Sequence, residues 1–147
     1  MAESTLRLEP VPDDDLDPVA ALLAANDLPT ADLADEAVRL YVARAGDERV
    51  GVGGFEVHGD AGLLRSIVVE APRRGEGFGG DLCDALTARA RQAGVETLYL
   101  LTTTAAGFFA DRGYEPVPRS TAPEPIRETG EFATLCPSSA TCMRKRL

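Results

Sequence analysis

The sequence predicts an α/β domain built on one mixed β-sheet, and three observations carry that prediction. Leu63, Leu64, Ile67, Val68 and Val69 form an apolar run rich in β-branched residues, read as a buried strand. A basic, glycine-rich turn from Arg73 to Gly80 follows, and then Leu82, Ala85, Leu86 and Ala90 recur at helical spacing. Upstream, 40–44 and 49–57 read as two further strands, joined by a hairpin at 45–48 and by a turn at 58–62. These three strands form a meander that leads into the glycine turn. Downstream, Thr97-Leu98-Tyr99-Leu100-Leu101 enters through Gly94 from the helix, so it should lie parallel to the Leu63 strand.

The remaining elements can be taken in chain order. Residues 4–9 alternate and predict a first strand, stopped by Pro10 and Pro12. Asp13, Asp14 and Asp15 offer caps for a helix over 13–25 with Leu16, Val19, Ala20, Leu22 and Leu23 inward. Asn26, Asp27 and Pro29 break it, and a short second helix is expected over 31–36. After the Thr97 strand, 105–112 predicts a helix ended by Gly113, then a strand over 114–117. Pro116, Pro118, Pro123 and Pro125 break up the next stretch of chain. Pro125 opens a helix expected to run through Phe132 and Leu135, and 136–139 turns the chain into a last strand over 140–146.

A chain of 147 residues is read as one domain, able to bury a substantial core. Net charge is −9 and the sequence pI about 4.6, which argues against nucleic-acid binding. No apolar run approaches a membrane span and the N-terminus lacks the pattern of a secretion signal, so the expectation is a cytoplasmic protein. Lys145 is the only lysine, and an acidic, arginine-dominated composition fits either a salt-adapted cytosol or an acidic mesophile. The three cysteines, Cys83, Cys136 and Cys142, form no even disulfide framework. Cys83 falls near the apolar face of the helix after the glycine turn and reads as packing.

A strand, a glycine turn and a helix N-terminus together make an anion cradle: free N–H groups and the helix dipole favour negative charge, and absent Cβ atoms let it approach. A phosphorylated ligand is expected. Gly75, Gly77 and Gly80 satisfy Gly-x-Gly-x-x-Gly, but 70–74 separate the turn from its strand and the next strand ends in Thr102-Thr103-Thr104, not in an acidic residue. No Gly-Lys-Ser/Thr comes after it, which excludes a Walker loop. Arg74-Gly75-Glu76-Gly77-Phe78-Gly79 instead fits the Gln/Arg-x-x-Gly-x-Gly/Ala signature of the GNAT N-acetyltransferases, which the flanking strand and helix also resemble.

That resemblance implies the acyl-CoA N-acyltransferase fold, a mixed sheet of six to seven strands with helices on both faces and a splayed pair of central strands. It implies acetyl-CoA as co-substrate and no metal. The diphosphate would lie against Arg74, Gly75, Glu76, Gly77, Phe78, Gly79 and Gly80, and pantetheine beside Ile67, Val68 and Val69. Thr103 would lie where the splay opens, the neighbouring hydroxyls serving either pantetheine amides or the next helix as a cap. The 105–117 segment resembles the family's second motif, with Phe108 and Phe109 lining the cofactor thiol. Phe109 stands where many members carry a tyrosine proposed to protonate the thiolate, so the usual general acid is missing.

Direct transfer to an amine needs positioning, loss of an amine proton and stabilisation of the carbonyl oxygen. The Ile67 N–H is the expected oxyanion donor, and Glu56 and His58 the candidate bases. Arg65, Arg119, Arg127 and Glu128 are the candidates for substrate selection, since arginines suit a carboxylate, phosphinate or arsenate-like group. Residues 98–143 also resemble a subgroup associated with arsenic resistance, and Cys136 and Cys142 raise metalloid binding as a second class of reading. Their spacing is no recognised ligand pattern. The expectation is thus an N-acetyltransferase for a small amino-acid-like primary amine, arsenical or phosphinic acceptors included. The rivals are a low-turnover acyl-CoA-binding or metalloid-sensing protein, and a protein N-terminal acetyltransferase. Homodimers are common in the family, and no residue here speaks for one.

Overall fold

The computed structural model describes residues 6–12, 16–26, 38–70, 77–103, 105–129 and 140–147. The elements are β1 (Leu6–Pro10), α1 (Leu16–Ala25), β2 (Val38–Ala45), β3 (Glu48–His58), β4 (Ala61–Val69), α2 (Phe78–Gln92), β5 (Thr97–Thr102), α3 (Ala106–Asp111), β6 (Glu115–Pro116), a 3-10 turn (Arg119–Thr121), α4 (Glu124–Arg127) and β7 (Thr141–Arg146). The strands make one sheet in the order β1-β2-β3-β4-β5-β7-β6. Every pair is antiparallel except β4 with β5, which the α2 crossover makes parallel. The expected mixed sheet and its central parallel pair are both present. The last strand does not extend an edge: β7 inserts between β5 and β6, pairing Leu100 with Met143 and Glu115 with Arg144.

Alternation along the strands builds two apolar faces. On one, Tyr41, Phe55, Leu64, Leu98, Leu100 and Met143 pack against Leu82, Cys83, Leu86 and Ala90 of α2 and Phe109 of α3. Leu82 and Leu86 are fully buried, each worth about 1.5–3 kcal/mol relative to exposure. On the other face α1 buries Val19 and Leu23 over Leu40, Val52 and Val68, and Ile126 of α4 covers Leu63, Tyr99 and Cys142. Cys83 is core packing, as its position predicted. Asp81 in the first turn of α2 and Arg89 and Arg91 in the last match the helix dipole. Gly94, at φ 95°, ends the helix in the left-handed conformation, with its own N–H on the Arg91 carbonyl and the Val95 N–H on the Ala90 carbonyl.

Some bounds differ from expectation. The strand expected over 114–117 shrinks to Glu115–Pro116, because Pro116 and Pro118 have no N–H to extend the ladder. Within the described residues the helix opened by Pro125 closes at Arg127, where the Thr129 hydroxyl and N–H both donate to the Ile126 carbonyl. The expected helix over 31–36, Phe132, Leu135 and the Cys136 turn lie outside the described residues. Among the described residues no helix is long and apolar enough to cross a membrane.

Candidate active site

The functional geometry begins with a bulge in β4. Val52 pairs with Val68 and Gly54 with Arg65, so two steps along β3 answer three along β4. Ser66 carries the extra residue at φ 62°, a left-handed conformation unfavourable for a residue with a Cβ. A bulge bends the strand that carries it. Pairing of the two strands covers only Ala61 to Leu63 against Thr97 to Tyr99, although β4 runs on to Val69 and β5 to Thr102. Ile67 to Val69 lie beyond the stretch of β4 that is in register with β5.

The first turn of α2 stands beside Val69. Gly77 is its N-cap at φ 87°, which only glycine adopts without strain. A Cβ on Gly79 would touch Phe108 and Val69, each at 3.7 Å, so glycine lets the helix, α3 and β4 converge. The end of the Arg112 side chain fills the space a Cβ would take at Gly80, so a larger residue there would have to displace it. Arg112 also donates to Asp84 Oδ2 at 3.3 Å and lies 5.9 Å from the Phe108 ring centre. Arg74, Gly75 and Glu76 lie outside the described residues. Thr102 Oγ1 accepts the Ala105 N–H at 3.0 Å, just ahead of α3, whose N-cap Ala105 carries no side-chain cap bond. Thr103 is exposed next to it, and Thr104 lies outside the described residues. Phe109 is buried edge-on between Phe108 and Tyr114, at 5.1 and 5.6 Å between ring centres.

On the face shared by α1 and α4, β3 and β4 bring Glu56, His58 and Arg65 together. Glu56 Oε1 is 2.9 Å from His58 Nε2, and Glu56 Oε2 accepts from Arg65 Nη1 at 2.7 Å. Arg65 Nε donates to Ser66 Oγ at 3.1 Å. The Arg65 side chain is 0% exposed, that of Glu56 5% and that of His58 18%. Two charges buried this deeply are tolerable only because each answers the other. Arg65 thus lies inside, against Glu56. Arg127 is exposed, its Nε donating to the Ala122 carbonyl at 2.9 Å, and Glu128 is exposed at the end of α4. Arg119 and Arg144 act electrostatically on Cys142, whose thiol burial pushes up. Cys136 lies outside the described residues, and among the described residues no group of three or more His, Cys, Asp or Glu is placed to hold a metal ion. The Glu56–Arg65–Ser66 link was missed from sequence, although a charge inside the apolar run LLRSIVV was the signal available.

A family model described as an acetyltransferase (GNAT) domain matches residues 36–116. The chain belongs to the GNAT acetyltransferase family. This GNAT domain is similar to the amino-acid acetyltransferases of Azotobacter vinelandii and Pseudomonas fluorescens, at 42% identity over 57 residues, covering 39% of this chain and 13% of each relative. In structure it is similar to N-acetylglutamate synthase from Neisseria gonorrhoeae complexed with coenzyme A and N-acetyl-glutamate, with a TM-score of 0.82 at 18% identity over 99% of this chain and 36% of that one. It is also similar to a GNAT family acetyltransferase from Elizabethkingia anophelis with acetyl-CoA bound, with a TM-score of 0.68 at 15% identity over 99% and 100% of the two chains. At these identities the structural likeness establishes the acyl-CoA N-acyltransferase fold. The chain spans 13% of the length of those two curated relatives and 36% of the synthase chain.

Proposed function

We propose that this GNAT domain transfers an acetyl group from acetyl-CoA to the primary amine of a small amino-acid-like acceptor. The observation that carries the reading is the divergence of β4 from β5 at the Ser66 bulge, with a buried carboxylate and an imidazole on the neighbouring strand. The described residues fit the cofactor. The stretch Ile67 to Val69 is the candidate backbone for an extended chain, and Gly77, left-handed at the N-terminus of α2 with nothing within 4 Å of where a Cβ would stand, suits a diphosphate there. Acetyl-CoA, when bound, supplies the thioester carbonyl that the amine attacks.

The chain's own groups orient and deprotonate. The backbone of Ile67 to Val69 aligns the cofactor tail, and the Ile67 N–H is the donor to the carbonyl oxygen. Glu56 accepts the amine proton, directly or through water, and hands it to His58, which is the more exposed of the two. Phe109 has no proton to give, so the departing thiolate leaves without a side-chain acid on α3. Arg119, Arg127 and Glu128 border the acceptor side and select its anionic group, and carboxylate, phosphinic and arsenical amino acids all present one that arginine can pair.

Thiol release from acetyl-CoA, measured across glutamate-like, phosphinic and arsenical amino acids and an N-terminal peptide, tests the assignment. Release with a small amino acid supports it. Release with the peptide alone transfers the reading to protein N-termini, and none with any amine ends it. Glu56→Gln should lower kcat by about 100-fold with acetyl-CoA affinity unchanged, and full activity would remove Glu56 from the chemistry.

A further inference from the structure

We infer that Arg65 is a positioning residue that braces the Glu56 carboxylate against the β4 bulge, holding the proton acceptor in fixed relation to the strand segment beside the acetyl group. The inference rests on Glu56 being that acceptor. Arg65 immediately precedes Ser66, the non-glycine residue with a left-handed φ among the described residues. Its guanidinium uses two edges: Nε donates to Ser66 Oγ at 3.1 Å and Nη1 to Glu56 Oε2 at 2.7 Å. In register Arg65 faces Gly54, while Glu56 faces Leu63. The side chain therefore reaches diagonally from the bulge to the adjoining strand. Gly54, opposite Arg65 in register, has no side chain to stand between them.

A brace at this point has a mechanical purpose. Past Leu63, β4 is no longer in register with β5, so its lateral ladder is with β3 alone, and ties across the bulge add to the packing of α1 on Val68 and α2 on Val69. Guanidinium is planar and its N–H directions are fixed, so seating one edge on Ser66 determines where the other presents its donor. Glu56 Oε2 is caught there, leaving Oε1 to His58. A guanidinium with no exposed surface is poorly placed to meet a diffusing acceptor, and it differs in this from Arg127.

The test is steady-state kinetics, with KM for amine and for acetyl-CoA, on wild type, Glu56→Gln, Arg65→Met, Arg65→Lys, Ser66→Ala and the Glu56→Gln/Arg65→Met double variant. If Arg65 works through Glu56, Arg65→Met lowers kcat by about 100-fold while each KM stays within about threefold. The double variant then falls less than about threefold below Glu56→Gln, because the brace has nothing left to hold. Arg65→Lys restores part of the kcat, since an ammonium reaches the carboxylate without the planar fork. Multiplied losses in the double variant overturn the inference, as does an Arg65→Met that raises amine KM at unchanged kcat, the mark of a substrate anchor. Full activity in Glu56→Gln instead sinks the proton-acceptor reading on which the brace depends. Should Arg65→Met not fold, Arg65→Lys and Ser66→Ala decide. Each should lose at least about threefold in kcat with KM preserved, and wild-type kcat in both refutes the brace.

Discussion

Gly53 is the position where this structure makes its most exact demand on a side chain. It lies on β3 opposite the bulge, between the pairs Val52–Val68 and Gly54–Arg65. An alanine Cβ there would stand 2.7 Å from Leu86 Cδ1, 3.4 Å from Ile67 Cγ1 and 3.6 Å from Leu82 Cδ1. Carbon atoms settle about 3.5–4.0 Å apart, so Leu86 has to retreat by about 1 Å. Leu86 is fully buried and has no solvent to retreat into, so α2 or its rotamers must shift. Overpacking of this kind costs about 1–3 kcal/mol, and the stiffer unfolded chain returns about 0.4–1 kcal/mol. The expected net loss in Gly53→Ala is about 1–2 kcal/mol, a fall in Tm of about 3–6 °C for a domain of this size. Calorimetry on Gly53→Ala, Leu86→Ala and the double variant isolates the cause. Leu86→Ala alone costs about 2–5 kcal/mol, but it empties the space the new methyl needs, so adding Gly53→Ala to it should be neutral or stabilising. Equal destabilisation in both backgrounds, or none in wild type, would refute the reasoning.

Other parts of the molecule support three further predictions. Ile126→Ala should lower stability by about 2–4 kcal/mol, because Ile126 is fully buried against Leu63, Tyr99 and Cys142; a shift in Tm corresponding to less than about 0.5 kcal/mol would mean that α4 is not seated on the sheet. Arg44, and then Arg7, hold the Glu9 carboxyl below its usual range, so its contribution is present above the unfolded pKa and lost as pH falls through the depressed folded one. Wild type and Glu9→Gln should therefore differ in urea midpoint at neutral pH and converge in acid, and a difference that grew in acid would contradict the ion pair. Burial pushes the Cys83 thiol up to about 12. Iodoacetamide at about pH 8 should modify it in urea but not in native buffer, and mass mapping that found native modification would show that α2 opens.

Much of this architecture was legible in the chain itself. The Leu63 run, the glycine turn and the helical spacing of Leu82, Leu86 and Ala90 state a strand, a tight turn and a helix, because backbone preference and apolar period act over a few neighbouring residues. The α2 crossover made the parallel pairing of β4 and β5 readable for the same reason. Three-dimensional packing alone decided that β7 enters between β5 and β6, that Ser66 bulges, and that Arg65 turns inward to Glu56 while Arg127 stays exposed. Strand order and ion-pair choice are set by free energies between segments remote in sequence, where burial and the partner's exact position outweigh any local preference.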